Sequence, residues 1–168
     1  MSNRHYLINS EDLQNLNARL LSIAFSKDEG DWKSIMHTHH FTELLFVVSG
    51  EGSFSFNQEQ SPLRRGDLVI IPPYTEHTER SSQNHPLEYY VLGIDGISFL
   101  SQKAENAHRY SAILSMIPVF MNCSARCSTK SGPQQYGSQT ICQHLLEILI
   151  LKSYDPNSSF QYRSTRSE

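Results

Sequence analysis

The chain has 168 residues, 38% hydrophobic and 18% charged, with a formal net charge of −3. This composition suits one globular domain with a real core and excludes a disordered or fibrous chain. Its basic residues are scattered, with Arg64 and Arg65 the adjacent pair, so the chain lacks the basic stripe of a nucleic-acid binder and is not expected to bind DNA by itself.

The first 17 residues are polar and lack the apolar core of a secretory signal. They read as an irregular arm, or as a short helix over 10–17 capped by Ser10 with Glu11 and Asp12 at its positive end. Residues 20–26 carry leucine, isoleucine and phenylalanine and predict a first strand. Residues 27–31 form a charged turn around Gly30, and residues 32–36, beginning at Trp32, lead into a histidine-rich stretch.

That stretch organises the rest. His37 and His39 stand two apart, so a strand sends both side chains to one face. Glu43 has the same parity, as do Leu45 and Val47. With a corner at His40 and Phe41, Glu43 joins the pair above an apolar floor, and His40 points away. Gly50, Glu51 and Gly52 read as a turn, residues 53–56 as a returning strand, and residues 57–60 as a polar hairpin loop. Gly66 opens a second turn before a short apolar strand over 68–71. Pro72 and Pro73 end it, because proline donates no ladder hydrogen bond. His77 follows on a strand entered at Thr75. Three imidazoles and a carboxylate, His37, His39, Glu43 and His77, suit a divalent metal such as iron, manganese, nickel or zinc if these segments lie side by side.

The two-part pattern H-x-H-x3-E-x6-G and G-x5-P-x4-H resembles the signature of the cupins, which implies a mainly β fold, a double-stranded β-helix or jelly-roll barrel. Tyr74 stands where the family pattern has glycine, and Ser81 where it has asparagine; the four ligand positions are intact. The run from Phe41 to His77 is similar to the sensor domain of AraC-type bacterial transcription regulators, a likeness extending over residues 20–152. It implies an N-terminal cupin that binds a small effector, with a sugar as a candidate, a helical segment for dimerisation, and a separate helix-turn-helix domain for DNA. The expected effector-lining residues are Trp32, His37, His39, Glu43, Leu45, Val47, Ile70, Tyr74 and His77. The alternative is a metal-dependent cupin enzyme using the same four ligands; no further acid, base or nucleophile stands out beside them.

Residues 87–94 close the barrel. Tyr89, Val91 and Gly93 share one face and Tyr90, Leu92 and Ile94 the other; both are apolar, so one face lines the interior and the other packs on something else. After Gly96 the period changes. Residues 97–100 read as a transition, 110–117 as a short helix ending at Pro118, and 123–137 as a loop. Ser138 is a plausible N-cap for the strongest helix, 139–152, whose apolar face is wide enough to meet both the barrel and a partner helix. The chain thus divides into a barrel with its arm, 1–100, and a helical dimerisation segment with a polar tail, 101–168. The tail, from Tyr154 on, reads as a linker where a DNA-binding domain would attach, as in an excised or truncated sensor. Cys123, Cys127 and Cys142 read as free thiols of a reducing, cytoplasmic compartment. No apolar run approaches membrane-spanning length.

Overall fold

β-Prone segments separated by glycine and proline corners stack into two facing antiparallel sheets. A computed structural model describes residues 16–27, 34–56, 59–101, 119, 122, 137–153 and 160–164. The strands are β1 Arg19–Lys27, β2 Thr42–Ser49, β3 Glu51–Phe56, β4 Glu59–Arg64, β5 Leu68–Ile71, β6 His77–Ser81, β7 Glu88–Asp95, β8 Ile97–Ser101 and β9 Phe160–Ser164. One sheet has the order β1-β7-β2-β5, the second β4-β3-β6, and β8 pairs with β9. This is the mainly β jelly-roll architecture that the sequence pattern implies.

Strand β2 shows how the core is divided. Its register sets Leu45 opposite Val91 and Val47 opposite Tyr89. These four side chains meet Leu63, Ile71, Leu87, Phe54 and Val69 between the sheets. The alternate residues, Leu44 and Phe46, face outward with Leu68, Leu92 and Ile94. Against that outer face lies helix α1, Ser138–Ser153. Its Leu146, Leu149 and Ile150 are buried there, each stabilising the fold by roughly 2 kcal/mol relative to exposure. Both apolar faces of β7 are thereby accounted for.

The helix is also pinned by hydrogen bonds. The Gln143 side chain accepts from the backbone N–H of Leu20 at 2.8 Å and donates to the carbonyl of Ala18 at 2.7 Å. Strand β1 lies at the edge of its sheet, so Gln143 satisfies backbone groups that the edge leaves free.

Three expectations change. Gly50 alone makes the corner from β2 to β3, and Gly52 lies within β3. The chain there leaves one sheet for the other, since β2 pairs with β5 and β7 while β3 pairs with β4 and β6. Residues 97–101 form a strand rather than a transition, and the tail supplies β9 as its partner, with Phe99 opposite Tyr162. The sequence Phe160-Gln161-Tyr162-Arg163 alternates aromatic and polar side chains, the strand period within a polar stretch. Ile70 is the third. It pairs with Leu44 and packs on the outer cluster, whereas Val69 and Ile71 face the interior. The expected helix over 110–117, the arm before residue 16, Cys123 and Cys127 lie outside the described residues.

Gly50 has φ +76°, and a Cβ there would overlap the carbonyl oxygen of Pro86; Gly66 has φ +89° with open space around it. Both conformations disfavour an L side chain, by about 1–2 kcal/mol. Gly66→Ala is expected to lower unfolding free energy by about 1 kcal/mol in urea titrations, and Gly50→Ala by about 3 kcal/mol because the corner must also open. Equal costs at the two positions would contradict the sheet-switch reading of Gly50.

Candidate functional site

His37 and His77 meet through an isolated antiparallel bridge. The N–H of each donates to the carbonyl of the other, both at 3.0 Å. His37 thus extends the second sheet beyond β6. From there the chain crosses to the first sheet, carrying His39 through the crossing and delivering Glu43 at the start of β2. The N–H of Tyr74 donates to the His39 carbonyl at 2.6 Å and ties the loop before β6 to that crossing.

The bridge sets the imidazoles side by side. Ring centroids of His37 and His77 lie 4.3 Å apart, those of His37 and His39 5.0 Å, and those of His39 and His77 5.6 Å. One nitrogen from each ring lies within 4.8 Å of the others. Glu43 reaches the same place, 3.0 Å from Nε2 of His39 and 3.7 Å from Nε2 of His77. His37, His39 and His77 thus lie together, with Glu43 beside His39 and His77.

The rings are also fixed in orientation. Nδ1 of His37 lies 2.9 Å from the Ile35 carbonyl, and Nδ1 of His77 lies 2.9 Å from that of Thr75. A carbonyl only accepts, so both Nδ1 atoms carry a proton and donate it. In the neutral rings the lone pair then sits on Nε2, facing the cluster, as in metal-binding histidines whose other nitrogen is held by a carbonyl. His77 is fully buried, and its Nε2 has no hydrogen-bond partner. A buried acceptor without a partner is costly unless something unrepresented by protein atoms meets it. The donor set therefore fits a divalent cation.

Burial holds the His39 pKa below its usual range, reinforced by His37, His77 and His40 and opposed by Glu43. Burial also pushes His77 down, but Glu43, the Thr75 carbonyl and Glu79 outweigh it and leave its pKa raised. One carboxylate beside the cluster escaped the sequence reading. Glu79, on β6 two residues beyond His77, is buried, and its carboxylate groups with Glu43 and His77 within 4.8 Å. Burial raises its pKa, with Glu43 adding to the rise and His77 opposing it. The available signal was its strand parity with His77.

The remaining expected lining residues are spread out. Leu45 and Val47 form the buried apolar floor between the sheets. Tyr74 is 77% exposed and has φ 61°, a left-handed conformation at the position where the cupin pattern has glycine. Ile70 is on the outer face, as above, and Trp32 lies outside the described residues. His40 is exposed and outside the donor clusters. Phe41 stacks on His39 at 4.9 Å, and Phe54 on His77 at 5.8 Å.

In long-range proton–nitrogen NMR spectra at a pH where the rings are neutral, His37 and His77 are expected in the Nδ1–H form. Nε2–H signals at either residue would contradict the orientation described.

A family model described as the AraC-like ligand binding domain matches residues 20–161. An uncharacterized protein of Methanocaldococcus jannaschii is 30% identical over 57 residues, covering 33% of this chain and 46% of the relative. The chain thus spans about half the length of that curated relative. Among solved structures, a cupin-like protein of Thermotoga maritima is 25% identical, with a TM-score of 0.33 over 34% of this chain and 44% of that one. A second T. maritima protein, described as a predicted oxalate decarboxylase, is 23% identical, with a TM-score of 0.40 over 45% of this chain and 66% of that one. Among the described residues, no helix is long and apolar enough to cross a membrane.

Proposed function

The chain belongs to the AraC-like ligand-binding domains, and on that premise we propose that it is the effector-sensing and dimerising module of a bacterial transcription regulator acting in the cytoplasm. The observation that carries the reading is the cluster of His37, His39, Glu43 and His77, with the buried Nε2 of His77, which makes no hydrogen bond, beside the Glu43 carboxylate. A small molecule with hydroxyl or carboxylate oxygens, a sugar among the candidates, is the effector class that such donors recognise. Contact with DNA belongs to a separate helix-turn-helix domain.

The three Nε2 atoms and the Glu43 carboxylate would hold a divalent cation, which supplies a Lewis-acidic centre for an effector oxygen. The protein's own residues do the rest. The Ile35 and Thr75 carbonyls keep two rings aimed inward. Phe41 and Phe54 flank His39 and His77 with apolar faces. An enzymatic reading uses the same donors; the sensing reading is favoured because the family is one of ligand-binding domains.

Strand β2 connects the site to the helix. Glu43 faces the interior, and its neighbour Leu44 faces the cluster that holds α1. Ligand binding that shifts β2 therefore presses on the helix through a one-residue step, a coupling that needs only differential affinity for two positions of the strand. The far side of α1 carries Ile141, Ile148 and Leu151, exposed by 51, 42 and 46%. Spaced seven and three apart, they form one stripe of the helix. A second copy presenting the same stripe would cover it in a two-fold dimer.

Two outcomes are expected. Chelator-stripped protein takes up about one equivalent of divalent metal in calorimetric titration, and His37→Ala weakens that uptake by about ten-fold or more; unchanged uptake would oppose the four-donor site. Light scattering on the eluting protein gives twice the 19.2 kDa chain mass, and Ile148→Glu with Leu151→Glu gives a monomer. A wild-type monomer at high concentration would remove the dimer from the proposal.

A further inference from the structure

We propose that Glu79 is a fifth protein donor to the divalent cation of the His37, His39, Glu43 and His77 site. The barrel then offers three imidazoles and two carboxylates. This rests on the reading of that cluster as a cation site.

Two groups of candidate donors overlap at one residue. His37, His39 and His77 form the first, and Glu43, His77 and Glu79 the second, each with donor atoms within 4.8 Å of one another. His77 belongs to both, and its Nε2 is buried without a hydrogen-bond partner. That atom lies 3.7 Å from the Glu43 carboxylate, too long for a hydrogen bond, on the side where the two groups meet.

The placement of Glu79 is otherwise hard to understand. It shares the face of β6 with His77 and pairs in register with Phe54 of β3. Phe54 packs on the apolar interior cluster. Glu79 is only 3% exposed and Glu43 only 4%. Among the described residues, the lysine and arginine ion pairs are Arg19 with Asp95 and Lys27 with Glu88, so neither interior carboxylate is matched by a lysine or an arginine. Two carboxylates held together in an apolar interior repel and lose hydration. One divalent cation among three neutral imidazoles cancels both charges.

The donor set also selects among metals. Four protein donors suit tetrahedral zinc. Five, two of them oxygen, suit a six-coordinate ion such as manganese(II) or iron(II), with about one position left for water or an effector oxygen. The second carboxylate thereby restricts the effector to a single-oxygen approach.

The test uses the full chain, stripped with chelator and titrated with Mn2+. Free Mn2+ is followed by its paramagnetic resonance signal, and bound water by proton relaxation. Wild type is expected to bind Mn2+ with about one coordinated water. Glu79→Gln is expected to bind about ten-fold or more weakly, with a second water in place of the carboxylate. Glu76→Gln, at an exposed position beside the same loop, is expected to match wild type. Affinity of Glu79→Gln within two-fold of wild type would overturn the fifth donor and leave the cation site standing. No Mn2+ uptake by wild type would overturn the cation reading itself and the fifth donor with it. Should Glu79→Gln fail to fold, the wild-type water count decides: about one supports the five-donor set, and two or more overturns it.

Discussion

Two reciprocal backbone hydrogen bonds between His37 and His77 are the constraint on which the site depends. Neither histidine lies near the other in sequence, and a single imidazole on a barrel wall would have little chemical consequence. The bridge fixes strand parity on both sides at once. With His37 and His77 paired, both side chains must emerge on the same face. The crossing that follows places His39 over that face, and β2 starts in the register that brings Glu43 beneath it.

The same strand that supplies Glu43 separates two cores. Leu45 and Val47 close the interior, while Leu44 and Phe46 hold the outer cluster under α1. A strand buried on both faces has no solvent side to absorb a displacement. A shift of β2 is therefore felt at the helix, and Gln143, anchored to the backbone of Ala18 and Leu20, keeps the helix registered against the barrel. The donor cluster on one surface and helix α1 on the other share a strand only one side chain thick. Tyr74 adds local stiffness, because its left-handed backbone and its hydrogen bond to His39 fix the loop that leads to His77.

How much of this could be read from the chain differs by residue, for physical reasons. The spacing of His37, His39 and Glu43, and of Pro72 and His77, was legible as the cupin-like pattern, whereas the crossing from one sheet to the other between His37 and Glu43 was not, because strand parity carries no sign of a change of sheet. Ile70 was not. Leu68, Val69, Ile70 and Ile71 are all apolar because their strand is buried on both faces, and alternation then carries no parity information. Pairing with Leu44 decides it. Glu79 was hidden because Thr78, Glu79 and Arg80 read as an ordinary polar strand, and only the partner strand shows that this face is the interior. Strand β9 was hidden for the opposite reason: two aromatic residues alternate within a polar tail, and nothing local says that β8 lies waiting to pair.

Anomalous diffraction from crystals of the full chain grown with Mn2+ tests the central claim most directly. One strong peak is expected within about 2.0–2.4 Å of Nε2 of His37, His39 and His77 and of a Glu43 carboxylate oxygen. A peak elsewhere, or a His77 ring turned away from the other two imidazoles, would contradict it.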